Sequence, residues 1–344
     1  MSRRSLTLVI ALVATLVAIA VAVLVPVPYV ILEPGPTLNT LGQDSSGQPL
    51  ISIAGHKTFA TTGNLNLVTI SYEGGPGVDV NIFQALRAWL DPSEAVVPES
   101  ELFPAGQSAQ QTEQQDTEQM ASSQETATAA AFTELHIPYQ TQVVVMSTVP
   151  GLPANTVLKA GDEILAVDGK PVTGQSDLSS LITAHPAGSP LQLTVLRAGN
   201  TLHLAVSSKN VDGSPVIGVE VQEEYKFPFN VKISVGAIGG PSAGMMFALG
   251  IIDKLTPMNL TGGKFIAGTG EITASGQVQP IGGIQQKMVG ARDAGATIFL
   301  TPASNCSDTA GAVPAGLQIV KVSTLTQAID DLEAIKAGKS VPSC

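Results

Sequence analysis

A run of twenty residues near the N-terminus, Leu6 to Val25, constrains this chain most strongly, because only Thr7 and Thr15 within it are polar. At a rise of 1.5 Å per residue, a helix of this length spans roughly 30 Å, the thickness of the hydrocarbon core of a bilayer. The segment Pro26-Val27-Pro28 then ends the helix. The pattern predicts a transmembrane helix within residues 6–28, preceded by a short N-terminus of residues 1–5.

The charges around this run predict its orientation. Arg3 and Arg4 precede it, and no further charge occurs before Glu33. The positive-inside rule then places the N-terminus in the cytoplasm and the rest of the chain outside it. A cleaved signal peptide is the alternative, since Ala20-Val21-Ala22 resembles a cleavage site. Signal peptides carry shorter apolar regions of about 7–15 residues, so the length favours an uncleaved, single-pass anchor in the plasma membrane.

Composition limits the remaining possibilities. With 344 residues, the chain is long enough for about two domains. A net charge of −11 argues against nucleic-acid binding. Cys306 and Cys344 could form one disulfide outside the cytosol, although two free thiols are the alternative. Two cysteines and no cluster of histidines predict no metal site, and no cofactor is expected.

The first half of the chain contains a marked shift in composition. Residues 105–126 are rich in Gln, Glu, Ser and Thr, which predicts a flexible loop, and a helix is expected over 127–135. Before it, Val80 to Leu90 has helical spacing and stops at Asp91-Pro92.

A helix-start motif later in the chain suggests catalytic chemistry. It reads Gly239-Gly240-Pro241-Ser242-Ala243-Gly244 and precedes a predicted helix from Ala243 to Leu255. Proline suits a first helical turn, so Ser242 falls among unpaired N–H groups at the positive end of the helix dipole. Such a position favours a developing alkoxide or oxyanion. A plain helix cap is the alternative, because serine is also a favoured capping residue.

A lysine follows 45 residues later in an unexpected place. Lys287 shares one helical stripe with apolar residues, namely Ile284, Met288, Ala291 and Ala294, whereas Gln285, Gln286, Arg292 and Asp293 fall elsewhere. An ammonium on an apolar stripe must be paired, be neutral or border a cavity. A neutral amine beside a serine hydroxyl can act as a general base. The G-x-S-x-G pattern of α/β-hydrolases is disfavoured, since those enzymes need a histidine after the serine and all four histidines precede Ser242.

Residues 143–206 form a module with its own resemblance. Its strands, short helix and hairpin, with the segments "AGDEILAVDGKPV" and "LQLTVLRAGN", resemble a PDZ domain of the bacterial protease type, placed here at residues 137–208. The resemblance implies that an extended peptide adds to a sheet edge and that backbone amides capture its C-terminal carboxylate. A structural spacer without a ligand is the alternative.

The region from about Val231 to Glu333 resembles the proteolytic domain of Lon proteases, which use a Ser–Lys dyad. The resemblance rests on "GGPSAGMMFALG" and "AGTGEITASGQVQPIGGIQQKMVGARDAGATIFLTPASNCSD". By position it implies Ser242 as the nucleophile, Lys287 as the general base and Thr269 as a residue that orients the lysine. Fainter matches at "TGNLNLVTIS" and "SSQETATAAAF" imply that the PDZ domain is inserted. Residues 29–135 and 211–338 would then form one α+β proteolytic domain, with a tail over 339–344.

The resemblance also implies a function. Lon proteases carry an ATPase with a G-x-x-x-x-G-K-[ST] loop, and this sequence contains none. The layout is similar to membrane-anchored Lon-like proteases of Gram-positive and actinobacterial envelopes. We expect an ATP-independent serine endopeptidase (peptidase family S16) that cleaves extracytoplasmic proteins, uses its PDZ domain for substrate recognition or regulation, and forms a homo-oligomer. A non-catalytic, membrane-anchored PDZ scaffold with a vestigial protease domain is the alternative.

Overall fold

The computed structural model describes residues 3–44, 46–104 and 106–344, which form two compact units. Unit 1 comprises the described residues up to His136 together with Phe229–Cys344, and unit 2 comprises Ile137–Pro228. Unit 2 is therefore inserted in the sequence of unit 1. Met1 and Ser2 of the predicted cytoplasmic N-terminus, and Ala105 at the start of the predicted loop, lie outside the described residues.

The first part of unit 1 contains four helices and six strands. In chain order they are α1 Arg3–Leu24, β1 Pro26–Val27, β2 Tyr29–Asn39, β3 Ile51–Ala54, β4 Asn64–Glu73, β5 Val80–Asn81, α2 Ile82–Leu90, β6 Ala95–Pro98, α3 Glu99–Leu102 and α4 Ala109–Glu134.

Unit 2 follows as a mainly β-stranded domain. Its elements are β7 Gln140–Thr148, a 3₁₀ turn Pro153–Thr156, β8 Glu163–Val167, β9 Lys170–Pro171, α5 Gln175–Thr183, β10 Pro190–Arg197, β11 Asn200–Ser207, β12 Lys209–Val211, β13 Ser214–Val216 and β14 Val219–Lys226.

The chain then returns to unit 1. The remaining elements are β15 Asn230–Ile233, α6 Gly244–Leu255, β16 Phe265–Gly268, β17 Glu271–Ile272, β18 Val278–Gln279, α7 Ile284–Asp293, β19 Ile298–Pro302, a 3₁₀ turn Ala303–Asn305, α8 Cys306–Thr309, β20 Gln318–Val322 and α9 Leu325–Lys336.

The N-terminal apolar run forms helix α1, as its composition predicts. The span Ser5–Leu24 is the one described helix that is long and apolar enough to cross a membrane. The predicted segment of 6–28 is too long by four residues, because the helix ends at Leu24 and Pro26–Val27 instead pairs with β5 as strand β1. Proline lacks the N–H group that a continuing helix needs.

A six-stranded mixed sheet with the order β20-β19-β16-β4-β2-β6 organises unit 1. The four strands from β20 to β4 run parallel, whereas β2 is antiparallel to both β4 and β6. On one face, α7 packs Met288 and Ala291 against Val68, Ala267 and Phe299. Helix α6 is almost wholly buried and contacts α4, α9 and β4. Its sequence, apolar all round, is typical of a helix enclosed on every side.

The predicted flexible loop over residues 105–126 is wrong, since all but its first four residues belong to the 26-residue helix α4. Ser108 and Gln111 form a reciprocal capping box at its start. Its second half buries Ala127, Ala131 and Phe132, and the helix contacts α6. Composition suggested a loop because the first half is solvated, but capping and tertiary packing decide the helix.

Unit 2 is a five-stranded sheet of order β11-β10-β8-β7-β14, with β9 added beside β8. Its core contains Val143, Val145, Ile164 and Leu191, packed against Leu178 of α5. The PDZ domain was predicted to end at 208 and the proteolytic domain to resume at 211, whereas the compact unit continues through β12, β13 and β14 to Pro228. Strand β14 pairs along its length with β7 and so belongs to the same sheet.

The C-terminal tail is fixed to unit 1 at two points. Cys306 and Cys344 form a disulfide, and the Lys321 N–H of β20 donates to the Pro342 carbonyl at 3.0 Å. The bond closes a loop with a sequence separation of 38 residues. Closing such a loop removes conformational freedom from the unfolded chain.

We predict that Cys344→Ser lowers the free energy of unfolding of unit 1 by roughly 2–4 kcal/mol, the range expected for a loop of this length. Urea unfolding of the full chain in detergent would measure the change. Wild-type protein in reductant should match the variant, and adding reductant to the variant should change nothing further. Equal stability of variant and oxidised wild type would contradict the prediction.

Candidate active site

Ser242 lies in the tight turn that leads into α6. Ala243 is the residue before the helix, which starts at Gly244, one residue later than the sequence predicts. The serine is partly exposed, whereas Ala243 and all but one residue of the helix are buried. The turn thus presents the hydroxyl at the surface of a rigid, buried support.

The backbone of Ser242 is fixed to the turn that follows β16. The Gly270 N–H donates to the Ser242 carbonyl at 2.8 Å, and the Met245 N–H donates back to the Gly270 carbonyl at 2.9 Å. The hydroxyl of the fully buried Thr269 donates to the same Ser242 carbonyl at 2.9 Å. These three bonds leave the serine backbone little freedom.

Helix α4 supports the same segment from another side. The Gly240 N–H donates to the Asp116 carbonyl at 3.1 Å, and the Ser123 hydroxyl donates to the Pro241 carbonyl at 3.0 Å. A Cβ at Gly239 would lie 2.5 Å from the Asp116 Cβ, so only glycine fits there. Asp116 and Ser123 were not singled out from sequence because most of helix α4 was predicted to be a loop. The S-x-x-Q capping signal at Ser108 could have revealed the start of this helix.

Lys287 lies one turn into α7, where the predicted stripe brings it inward. Its side chain is only 3% exposed. Gly283 starts the helix with φ 67°, and a Cβ there would lie 2.8 Å from Ile70 Cγ2. Two details of the stripe differ from the prediction: Ala294 lies past the helix end and is exposed, and Gln286 is buried.

The structure brings the three predicted site residues together. Lys287 Nζ lies 2.9 Å from Ser242 Oγ and 3.4 Å from Thr269 Oγ1. Burial lowers the pKa of Lys287 to about 8, because the apolar surroundings cannot replace the hydration of an ammonium. About a tenth of the amine is therefore neutral at pH 7. A hydroxyl and such an amine in contact form a chemically competent nucleophile–base pair. The catalytic roles of all three residues stay predictions.

Asn305 holds the chain just before α7 and was not singled out from sequence. Its side chain accepts a hydrogen bond from the Ile281 N–H and donates one to the Ile281 carbonyl, both at 2.9 Å. It is 4% exposed and directly precedes Cys306. The disulfide-tethered segment therefore positions the start of the helix that carries Lys287.

A cavity of about 660 Å³ borders the segment leading to Ser242. Its walls come from Tyr72 to Val78, from the first half of α4 and from residues 233–239. Asp116 lies in the α4 wall, and loss of hydration raises the pKa of its carboxyl. The cavity lining ends at Gly239, three residues before Ser242, and its volume is in the range of pockets that hold small ligands.

Unit 2 contains a separate groove of about 400 Å³ between α5 and the edge strand β14. Leu178 and Ile182 line one side, and Gly218, Val219 and Val221 line the other. A sheet edge beside an apolar helix face suits addition of an extended peptide. The residues from β14 were not singled out from sequence because the predicted module ends before this strand; the alternation of Val219 and Val221 after Gly218 is a strand signal.

The described residues contain no cluster of three or more His, Cys, Asp or Glu side chains suited to a metal ion.

Comparison with known proteins identifies both domain types. The Lon protease (S16) C-terminal proteolytic domain matches residues 207–334, and the PDZ domain matches residues 110–207. Lon protease 1 of Bacillus subtilis (strain 168) is 32% identical over 119 residues, which is 33% of this chain and 15% of that protein. The Lon protease of Dictyoglomus thermophilum is 34% identical over 152 residues, or 44% of this chain and 18% of that protein.

Among solved structures, the PDZ domain of an SdrC-like protein from Listeria monocytogenes is 26% identical, covers 23% of this chain and 85% of that one, and has a TM-score of 0.22. The chain spans less than a fifth of the length of the two curated relatives. It contains a Lon-type proteolytic domain and a PDZ domain, so the predicted resemblance and the predicted α+β fold class are confirmed. The PDZ match begins within α4, whereas the compact unit begins at Ile137.

We predict that Lys287→Met is more stable than wild type at pH 6–7, by up to roughly 3 kcal/mol. The folded protein disfavours the ammonium, so between pH 8 and the normal lysine pKa of 10.5 the unfolded chain binds more protons. The free energy of unfolding of the wild type should therefore rise with pH relative to that of the variant. The difference in stability between the two proteins should shrink accordingly. Urea unfolding from pH 6 to 10 measures it, with exposed Lys321→Met as the matched control. A difference that does not depend on pH would contradict burial as the cause.

Proposed function

We propose that this protein is a membrane-anchored serine endopeptidase in which Ser242 is the nucleophile and Lys287 the general base. The observation that carries the proposal is the 2.9 Å separation between the nearly inaccessible Lys287 Nζ and the partly exposed Ser242 Oγ. The Lon-type proteolytic domain supports peptide-bond hydrolysis as the reaction.

In the proposed reaction the neutral Lys287 amine accepts the proton of the Ser242 hydroxyl as Oγ attacks a peptide carbonyl carbon. The tetrahedral intermediate collapses when the C–N bond breaks, and the Lys287 ammonium returns the proton to the leaving amine. Water then attacks the acyl–enzyme ester and gives one proton to Lys287. The Lys287 ammonium returns this proton to Ser242 Oγ as the C–Oγ bond breaks and the new carboxyl group is released. Thr269 keeps the amine directed towards Oγ through its contact with Nζ.

The start of α6 supplies the electrostatic part of the mechanism. Within the described residues, the amides of Ser242 and Ala243 have no hydrogen-bond acceptor, and they lie at the positive end of the helix dipole. Donors held in place before the reaction stabilise a developing oxyanion without reorganisation. The bonds from Gly270 and Thr269 to the Ser242 carbonyl keep these amides in position.

The substrates proposed are extracytoplasmic proteins with unfolded or exposed segments. The sequence has no ATPase phosphate loop, so the chain would act without ATP. An apolar helix suited to membrane anchoring and a disulfide, typical of oxidising compartments, support an external location. The groove beside β14 would bind exposed C-termini and so select substrates or regulate access. A homo-oligomer is proposed only on the resemblance to Lon proteases.

We predict that kcat/KM for an unfolded protein such as casein rises about tenfold per pH unit below pH 8 and levels above it, because only the neutral Lys287 amine is active. Cleavage by the full chain in detergent would be followed from pH 5.5 to 9.5. Ser242→Ala, Lys287→Ala and Lys287→Arg should each lose at least about 10³-fold in kcat/KM. The arginine variant tests deprotonation, since a guanidinium stays charged. Cleavage that persists in these variants would rule out the dyad.

We propose that the cavity bordered by residues 233–239 receives part of the substrate, which yields a second prediction for activity. Ala121→Trp places a large ring on the α4 wall of the cavity and should lower kcat/KM for casein by about tenfold or more. Ser122→Trp is the matched control, since the neighbouring Ser122 is exposed and outside the cavity lining. Labelling of Ser242 by a small sulfonyl fluoride should stay unchanged in both variants. Equal losses of cleavage in both would show that the cavity does not receive the substrate.

A further inference from the structure

Helix α2 exposes a continuous apolar face on the surface of unit 1. This face, called here the α2 apolar face, consists of Phe83 (60% exposed), Leu86 (54%), Trp89 (74%) and Leu90 (77%). Phe83, Leu86 and Leu90 follow i, i+3, i+7 spacing, and Trp89 lies next to them on the helix surface. Four large apolar side chains at one exposed place are unusual for a surface that stays in water.

The opposite side of α2 packs into unit 1. Ala88 is fully buried and Ala85 packs with it against Ile31 and Val80. The one cationic side chain of the helix is also engaged, as the Arg87 guanidinium makes a hydrogen-bonded ion pair with Glu94 at 2.9 Å. The helix is therefore amphipathic with its small residues inward and its largest apolar residues outward.

The position of α2 is set by the end of α1. Strand β1, which begins two residues after α1, pairs with β5, which directly precedes α2, so that Val27 faces Val80. Helix α2 also contacts α1. Along Ser5–Leu24 only the Ala22 side chain is partly buried, which places this contact in the last turn of α1. Ala22 is two residues, about 3 Å of helix rise, from the end of the apolar span.

We propose that α2 lies in the membrane interface, with the α2 apolar face among the lipid headgroups and upper acyl chains of the external leaflet. The inference rests on the proposed membrane anchoring by α1. If α1 spans the bilayer, its last turn is at the external interface, and α2 beside it is at the same depth. Tryptophan is enriched at that depth, and helices with one large apolar face bind there along the membrane plane. The proteolytic domain would then be held against the lipid surface at two points rather than one.

Trp89 is the only tryptophan in the chain, so its fluorescence reports on this face alone. The full-length protein would be reconstituted into phosphatidylcholine–phosphatidylglycerol vesicles containing phospholipids brominated at defined acyl-chain depths. A control variant combines Trp89→Phe with Lys321→Trp, which moves the probe to β20 at the opposite edge of the six-stranded sheet from β6. We expect blue-shifted Trp89 emission and quenching at least about twofold greater than for the control probe, strongest for shallow bromines.

Two results would overturn the inference. Quenching of Trp89 no greater than that of the control probe would show that the face stays in water. Blue-shifted emission without quenching by brominated lipid would show that protein, such as a second copy of this chain, covers the face instead.

Separate measurements distinguish this inference from the proposed membrane anchor and the proposed protease activity. Retention of the chain in vesicles after alkaline carbonate extraction tests the α1 anchor; loss of the chain from the vesicles would overturn anchor and inference together. Retention without quenching would overturn the inference alone. Leu86→Asp should reduce Trp89 quenching about twofold while casein cleavage in detergent stays unchanged, because Leu86 lies outside the catalytic site.

Discussion

The burial of the Lys287 side chain is the constraint on which the rest of the site depends. An amine on an exposed surface would stay protonated at neutral pH and could not accept a proton from a serine. Burial lowers its pKa to about 8 and also fixes its position 2.9 Å from Ser242 Oγ. One physical effect therefore provides both the neutral amine and the geometry that the proposed reaction needs.

Several elements of unit 1 are needed to keep such an amine buried. Asn305 holds the chain before α7, and Gly283 allows the tight helix start against Ile70. On the serine side, the turn after β16 and the helix α4 fix the backbone through hydrogen bonds to consecutive residues. A buried amine opposes folding at neutral pH, so this support has to be strong enough to outweigh it.

Two features outside the catalytic site are the groove of unit 2 and the connection between α1 and α2. Unit 2 interrupts the sequence of unit 1 between α4 and β15, and it contains its own groove at the edge of β14. At the other end, the β1–β5 pairing ties α1 to the start of α2. The proposed substrate selection and the proposed membrane attachment involve residues outside the Ser242–Lys287 contact, so the three proposed roles can be tested separately.

Sequence patterns predicted much of this structure where local rules dominate. The length of the apolar run predicted α1, proline and serine predicted the start of α6 within one residue, and the stripe predicted that Lys287 points inward. The same rules failed where contacts between residues far apart in the sequence determine the secondary structure or the extent of a domain. Helix α4 was predicted as a loop because its stability comes from capping and contact with α6. The compact unit extends past the predicted end of the PDZ domain because β14 pairs with β7, more than 70 residues earlier in the sequence.

The sequence by itself determined which residues are suited to the chemistry: a serine at a helix start, a lysine on an apolar stripe and a threonine between two glycines. Only the tertiary structure decided that these three meet, that Asp116, Ser123 and Asn305 hold them, and that the α2 apolar face lies beside the end of α1. The physical reason is that residue type and periodicity are local properties of the chain. Distance, burial and the resulting pKa arise only when separate segments pack together.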